Sequence, residues 1–286
     1  KMLCMDADHP DILAFIRLKA REEHKVAALA TGSHKTRAAV AAIHDAIIAH
    51  GHPSPQSLHA LDEARIQGIP AGLVAQAVLA AQQGFCLLPD EMGTDWRSEA
   101  YYTVDGQNAN NTVRLPHAFM QALEDDGPWT LTGRVDPSVN RTLPARELWE
   151  AIATAAWASA DPGLHFSGTI DEWHTCPEDG AITASNPCSE YLFVNNTACN
   201  LASVNLLKCL RINPDNGKRE MYAPLLQHLS MLWTMILDIT VSMAGYPTPE
   251  LATNSARYRT LGLGMANLGA VLMQSGLPYG SPEGLA

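Results

Sequence analysis

The chain has 286 residues, of which 47% are hydrophobic and 17% are charged, and its formal net charge is −11. Soluble chains usually carry about 25% charged residues, so this composition predicts a large buried core and excludes intrinsic disorder. The acidic balance, without a block of Lys or Arg, argues against electrostatic binding to a nucleic acid. Six scattered cysteines are typical of an intracellular protein and not of a disulfide scaffold.

The two ends of the sequence predict an interior fragment of a longer protein. The chain begins at Lys1 without an initiator Met and stops at Gly284-Leu285-Ala286 without a closing element. Its longest apolar stretch, 225–245, is interrupted by His228 and Asp238. We therefore predict a buried helix in this stretch and no membrane span.

The first 85 residues predict a strand or loop followed by helices. An apolar run at 2–5 precedes a helix that opens at Pro10 or Asp11, and Ala-rich segments predict further helices at 37–50, 58–66 and 70–84. A Gly/Pro-rich breaker at 51–55 separates the first two of these. Several histidines lie in this region without a carboxylate or Cys at ligand spacing, so we predict solvated helix ends and loops and no metal site for His34, His44, His50, His52 and His59.

The composition of the sequence changes after Asp95. Aromatic and β-branched residues at 96–104 predict extended chain, and the following segment Gly106-Gln107-Asn108-Ala109-Asn110-Asn111 predicts a polar turn. These amide side chains carry too many hydrogen-bond donors and acceptors for a core strand, so their partners must be water or a polar ligand. The residues alone favour water as the partner. Helices are predicted at 115–123, 143–159 and 224–243.

The largest concentration of potentially reactive side chains lies in Ser185-Asn186-Pro187-Cys188-Ser189-Glu190. In extended chain, residues two apart point to the same side, so Asn186, Cys188 and Glu190 are expected to converge on one small ligand. Pro187 stiffens the backbone beside the thiol and favours a loop tip. Cys199 begins a segment of alternating small and polar residues, which predicts a strand that can lie near Cys188.

Three other interpretations stay open on these residues. Buried, unreactive cysteines are common in protein cores. A zinc site would use His174, Cys176, Cys188 and Cys199, although no CxxC pair is present. A hydrolytic cysteine would need His174 or His165 as its base, and nothing local supports that role beyond proximity in sequence.

Three separated motifs, in order, resemble the ribonucleotide reductase large subunit. The segment 186–190 followed by 199–206 is similar to that family's active-site signature, and Arg259-Thr260-Leu261-Gly262-Leu263-Gly264 through Asn267-Leu268-Gly269 is similar to its downstream segment. The Ala-rich insertion, together with the segments 8–12, 19–23 and 98–111, looks like the adenosylcobalamin-dependent branch. The resemblance runs nearly from end to end.

The resemblance implies an oxidoreductase that replaces a ribose 2′-hydroxyl by hydrogen through radical chemistry, for DNA synthesis. It implies that Cys188 forms the thiyl radical that abstracts the 3′-hydrogen, that Glu190 takes the 3′-hydroxyl proton, and that Asn186 binds the sugar hydroxyls. Cys199 would be one half of a redox pair that ends as a disulfide, with its partner before Lys1, since Cys4 is a poor substitute. The substrate-binding loop would comprise Ser185, Asn186, Pro187, Cys188, Ser189 and Glu190, with Ser189 where many relatives have Gly.

The fold implied is α/β, a ten-stranded barrel of the ribonucleotide reductase type, of which this chain forms part. Residues 1–34 would supply a strand and helix, 35–94 an α-helical insertion, and 95–286 the part of the barrel that carries the finger loop. The resemblance implies a loop formed by Gly106, Gln107 and Asn108 through which a bound allosteric nucleotide affects recognition of the substrate base. The polar side chains of this loop are then expected to lie near a nucleotide and not only in water.

The resemblance also implies partners. These are adenosylcobalamin, a ribonucleoside di- or triphosphate, an allosteric nucleotide or deoxynucleotide, and a thioredoxin-type dithiol reductant. No nucleic acid, membrane or metal site of the chain's own is expected. No DxHxxG signature occurs, so the cofactor expectation rests on resemblance alone. A cytoplasmic location is expected, and homodimer formation is left open. The fragment is expected to be inactive alone, and the alternative is a non-catalytic nucleotide-binding or assembly chain of a split reductase.

Overall fold

A computed structural model describes residues 1–50, 54–138, 140–217 and 219–285. The chain divides into two compact units, Lys1–Glu172 and Trp173–Ala286, and each is described by itself. Residues 51–53, which include His52 and most of the predicted breaker at 51–55, lie outside the described residues.

The first unit alternates helices with short strands. In chain order its elements are β1 (Met2–Asp6), α1 (Ile12–His50), α2 (Pro55–Ile66), α3 (Ala71–Gln82), β2 (Asn110–Leu115), α4 (His117–Glu124), β3 (Pro128–Thr132), β4 (Asn140–Pro144), α5 (Ala145–Ser159), β5 (Gly163–Phe166) and α6 (Ser167–Glu172).

A parallel sheet in the order β1-β2-β5 forms the centre of this unit, and β3 and β4 form an antiparallel pair. Residues two apart on β2, Val113 and Leu115, are completely or almost completely buried in one cluster with Ile12 and Ile16 of α1 and Leu148 of α5. Parallel strands that are joined through helices bury at least one face in this way. The strand predicted at 2–5 and the helix after Pro10 are confirmed.

Helix α1 continues without interruption through residues 34 and 35, so the boundary expected there does not coincide with a break in secondary structure. Its second half packs against α2 and α3 in a separate apolar cluster that includes Val40, Ile43, Ala64 and Ala77. The helices predicted in this region are confirmed. Helix α2 begins with a capping box in which the side chains of Ser54 and Ser57 each accept the other's backbone N–H.

The segment between α3 and β2 lies along α1. Arg37 Nη1 donates to the Pro89 carbonyl at 2.7 Å, and Lys25 Nζ donates to the Thr103 carbonyl at 2.6 Å. The expectation of extended chain at 96–104 is wrong, because residues Glu99–Thr103 form a 3-10 helix. Its first turn is capped by the Ser98 hydroxyl, a local hydrogen bond that competes with strand formation.

The second unit is built around two parallel strands. Its elements are β6 (Asn200–Asn205), β7 (Leu210–Ile212), β8 (Arg219–Met221), α7 (Ala223–Met243), α8 (Pro249–Tyr258), β9 (Leu261–Ala266), α9 (Leu268–Ser275) and α10 (Pro282–Leu285). Strand β6 pairs in parallel with β9, and β7 pairs with β8 in an antiparallel ribbon. The strand predicted after Cys199 is confirmed as β6.

Helix α7 packs on β6 and β9 along a narrow stripe. The prediction of a buried helix is wrong, since only Leu237 and Val241 are buried and Met243 is 77% exposed. The two strands beneath it are too few to cover more of its surface. By length and composition α7 would pass as a membrane span, a test that the core helix of a soluble protein also passes.

The described residues contain no closed barrel. They hold one parallel sheet of three strands, one of two, and two antiparallel pairs, with helices between the parallel strands. Parallel strands joined through helices are the unit from which α/β barrels are assembled.

Candidate active site

The loop that begins at Ser185 is a closed turn in the second unit. An antiparallel bridge joins Ser185 to Leu192, and the Ser189 N–H donates to the Asn186 carbonyl at 2.9 Å. Ser189 has a φ of +66°, which glycine adopts more readily than other residues. The loop is therefore a tight turn with exposed Cys188 near its tip, and not the extended segment that the spacing predicts.

The side chain of Asn186 is fixed by the loop's own backbone. Its Oδ1 accepts the Tyr191 N–H at 2.9 Å, and the Asn186 N–H donates to the Tyr191 carbonyl at 3.4 Å. Because the amide oxygen is used in this way, the Nδ2 hydrogens are the part of the side chain suited to a ligand. A ligand at this position would present an oxygen acceptor, such as a sugar hydroxyl.

A cavity of about 530 Å³ lies beside the loop. Its walls include Asn186 and Glu190 from the loop, Leu201 from β6, and Cys199, which directly precedes β6. Among the described residues that line the cavity, Glu190 is the only charged one. The structure thus brings three of the four predicted catalytic residues to one cavity, whereas Cys188 lies outside its lining at the exposed tip.

The thiol of Cys199 is half-buried, and burial raises its pKa. The carboxylate of Glu190 raises this pKa further, because a negative charge nearby disfavours the thiolate. A cysteine thiol is already mostly protonated at neutral pH, and these two effects disfavour the Cys199 thiolate further. The protonated state suits a donor of hydrogen and electrons better than a nucleophile, which reacts as the thiolate.

The absence of a side chain at Gly262 leaves room for the side chains of Leu201 and Cys199. A Cβ at this position would lie 2.3 Å from Leu201 Cδ2 and 3.1 Å from Cys199 Sγ. Residues 201 and 262 are register partners in the β6-β9 pair, so the strands fix this close approach.

We predict that Gly262→Ala lowers the free energy of unfolding by about 1 kcal/mol, the low end for overpacking. The exposed Leu201 side chain can move aside, whereas Cys199 Sγ and the Asn200 carbonyl oxygen, 3.3 Å from the added Cβ, must shift. Thermal or denaturant unfolding of the variant measures this loss of stability. Gly264→Ala is the matched control, since a Cβ there would meet only Ser203 Oγ, at 3.8 Å. Equal losses of stability in the two variants would contradict the close approach at Gly262.

The alternative zinc site is not formed. His174 accepts the Cys176 N–H through Nδ1 at 3.3 Å, and its Nε2 lies 2.9 Å from the Gly180 carbonyl. Both ring nitrogens are therefore engaged, which also argues against His174 as a base. Within the described ranges no group of three or more metal-ligating side chains occurs.

Other predicted histidines have ordinary surroundings in the first unit. His34 lies 3.1 Å from a Glu91 carboxylate oxygen, and His44 lies 3.0 Å from one of Asp45. Both histidines lie inside α1, and His59 lies inside α2, so the prediction of helix ends and loops is wrong for these three. His165 is buried on β5, with Nδ1 at 4.0 Å from Cys4 Sγ, and burial lowers its pKa. Cys4 lies in β1, within the apolar run predicted as a strand or loop at 2–5.

The predicted specificity loop is a turn that leads into β2. Gly106 has a φ of +67°, and its carbonyl accepts the Ala109 N–H at 3.0 Å. Gln107 and Asn108 are exposed, as expected for side chains that meet water or a ligand. Asn111 differs from the expectation, because it is 2% exposed in β2 and its amide makes no hydrogen bond to the residues that the structure describes.

Two residues near the site were not predicted from the sequence. Tyr191 and Thr260 contact each other through their hydroxyl oxygens at 3.0 Å, and they are 69 residues apart in sequence. Tyr191 follows Glu190 directly, and Thr260 lies inside the segment 259–264. Proximity to these motifs was the only signal available, because a spacing of 69 residues shows no contact.

The whole chain is similar to known proteins. A family model described as "Ribonucleotide reductase, barrel domain" matches residues 1–286. The chain is 47% identical to a vitamin B12-dependent ribonucleotide reductase of Agrobacterium fabrum and 46% identical to one of Bradyrhizobium diazoefficiens, each over 296 aligned residues. It is 37% identical to a third, of Streptomyces coelicolor.

These alignments cover 100% of this chain but only 23–24% of each relative. The chain therefore spans about a quarter of the length of the curated relatives that it matches.

Proposed function

Because the chain belongs to the ribonucleotide reductase barrel-domain family, we propose that it supplies the catalytic loop of a vitamin B12-dependent reductase. The observation that carries this proposal is the single cavity lined by Asn186, Glu190 and Cys199 beside the loop tip that bears Cys188. The substrate is a ribonucleoside di- or triphosphate, and the product is the 2′-deoxyribonucleotide.

The reaction replaces the 2′ C–O bond by a C–H bond and releases water. Two thiols become a disulfide and supply the two electrons and two protons that this exchange requires. We propose that one of these thiols is Cys199 and that the other belongs to a second cysteine of the full-length protein. The protonated state of Cys199 agrees with this role, because a thiol and not a thiolate carries the hydrogen that is delivered.

Two residues of the loop act on the sugar hydroxyls. The Asn186 amide oxygen is already bonded to the Tyr191 N–H, so its NH₂ group donates to a hydroxyl oxygen of the substrate. The Glu190 carboxylate accepts the proton of the 3′-hydroxyl. A carboxylate within a largely uncharged lining is a suitable base, because no cation in that lining neutralises it.

Cys188 abstracts the 3′-hydrogen as a thiyl radical and later returns a hydrogen atom. Its exposed position fits a large cofactor, because such a group can approach the thiol without displacing buried side chains. Pro187 and Ser189, the neighbours of Cys188 in the chain, would contact that cofactor. Adenosylcobalamin, when bound, supplies the unpaired electron by homolysis of its Co–C bond.

We propose that Gly106, Gln107 and Asn108 respond to an allosteric nucleotide, that residues 35–94 form a helical insertion with its own core, and that a thioredoxin-type dithiol restores the reduced enzyme. We also propose a cytoplasmic location, and we expect the 286-residue chain not to turn over on its own.

The proposal is tested by assaying the full-length protein on ribonucleoside di- and triphosphates, with and without adenosylcobalamin. We expect deoxynucleotide formation from one substrate class and only with the cofactor and a dithiol. Product formation without adenosylcobalamin would contradict the proposed branch of the family. Absence of product from both substrates, with cofactor and effectors supplied, would contradict the function.

A further inference from the structure

Tyr191 contacts the loop through its backbone and the strands through its side chain. Its N–H and carbonyl both bond to Asn186, as described above. Its hydroxyl lies 2.8 Å from Thr197 Oγ1 and 3.0 Å from Thr260 Oγ1. A single residue therefore links the loop that carries the predicted catalytic groups to the segment before β6 and to the start of β9.

The Thr260 hydroxyl extends this link to Cys199. It donates to the carbonyl of Ala198 at 2.5 Å, and Ala198 is the residue directly before Cys199. Thr197 in turn donates to the Val194 carbonyl at 2.7 Å. The chain of contacts thus runs from the Asn186 amide, through the Tyr191 phenol and Thr260, to the peptide that precedes the Cys199 thiol.

The hydroxyl protons in this network are too few for all its contacts. Three hydroxyl groups make four contacts, and the two carbonyls can only accept. If each threonine donates to its carbonyl, the Tyr191 proton can serve only one threonine at a time. Removing the phenol hydroxyl therefore leaves both threonine donors satisfied and breaks only the connection to the loop.

Ring packing holds Tyr191 independently of its hydroxyl. Its ring lies 6.2 Å from that of Phe193, which packs edge to face on Tyr258 at 5.2 Å. A phenylalanine at position 191 can keep these contacts. The variant Tyr191→Phe is consequently expected to fold, and it isolates the contribution of the hydroxyl.

We propose that Tyr191, through Thr260, is a positioning residue that fixes the separation between the Asn186–Glu190 loop and Cys199. This inference rests on the proposed function for its effect on turnover, but the positioning itself is a property of the chain. It adds to the reaction two residues that do not touch the reacting atoms. Loss of the hydroxyl should let Glu190 move relative to the Cys199 thiol while the cavity and its lining persist.

Two measurements on the full-length protein test this. The first is the rate at which iodoacetamide alkylates Cys199 as a function of pH, followed by mass spectrometry of the peptide that carries it. Glu190 and Tyr191 are the titratable side chains that line the cavity with Cys199. Because Glu190 helps to raise the pKa of Cys199, we expect Tyr191→Phe to increase the alkylation rate by about twofold at a pH below that pKa.

In a Glu190→Gln background, Tyr191→Phe should not change the alkylation rate of Cys199 further, because the carboxylate charge is absent. Thr260→Val should reproduce the effect of Tyr191→Phe, and Thr260→Ser should restore the wild-type rate. The matched control is Tyr246→Phe, which removes a hydroxyl donor to the Val241 carbonyl at 3.0 Å in the same unit but outside the cavity lining.

The second measurement is steady-state reduction. We expect Tyr191→Phe to lower kcat by about tenfold with KM changed less than about twofold, because the loss of one hydrogen bond leaves the loop less well placed for the reaction. Wild-type alkylation and wild-type kcat in Tyr191→Phe would overturn the proposal, as would equal effects from Tyr246→Phe. The alkylation result needs no reductase activity, so it distinguishes failure of this inference from failure of the proposed function.

Discussion

Substitution of Cys188 by Ser in the full-length protein should abolish deoxynucleotide formation, with a loss of at least about 10³-fold, because this residue carries the reacting atom. A serine hydroxyl has a stronger bond to hydrogen than a thiol has, so it does not form the required radical. Steady-state assays with adenosylcobalamin and a dithiol measure the loss. The side chain is exposed, so the thermal stability should stay at the wild-type value.

Cys86→Ser is the matched control for this prediction. Cys86 is also exposed, and it lies in the segment after α3 in the first unit. The control should retain wild-type turnover. If Cys188→Ser retained it as well, Cys188 would not be the radical carrier, and the assignment of the loop tip would fail.

Cys199→Ser should separate radical formation from repeated turnover. Because Cys199 supplies reducing equivalents and does not carry the radical, the unpaired-electron signal should persist in electron paramagnetic resonance. Steady turnover with a dithiol reductant should fall by at least about 10²-fold, since the disulfide that the dithiol reduces cannot form. Normal steady turnover in this variant would remove Cys199 from the redox pair.

Local patterns were sufficient to predict much of the fold. The helices α2 and α3, the strand before Pro10 and the strand after Cys199 were all predicted from spacing and breakers. The 3-10 helix at Glu99–Thr103 was missed because one serine cap outweighed the β-propensity of its aromatic residues. The exposure of α7 was missed because burial depends on which elements cover a helix, and a helix's own sequence does not contain that information.

The site was predicted in its residue types but not in its geometry. Asn186, Glu190 and Cys199 do line one cavity, yet the loop is a turn stabilised by side-chain hydrogen bonds and not an extended segment. The contributions of Gly262 and Thr260 depend on the pairing of β6 with β9, whose partners are about 60 residues apart. Long-range pairing of this kind leaves no periodic trace in the sequence.

The most direct test of the account is a reaction of the pre-reduced, full-length protein with substrate and adenosylcobalamin but without added reductant. Deoxynucleotide should form in a limited burst and stop, at which point Cys199 should have lost its free thiol. Alkylation and peptide mass spectrometry measure this, and added dithiol should restore both the thiol and the reaction. Free Cys199 after the burst has ended would contradict the proposal that this cavity performs the reduction.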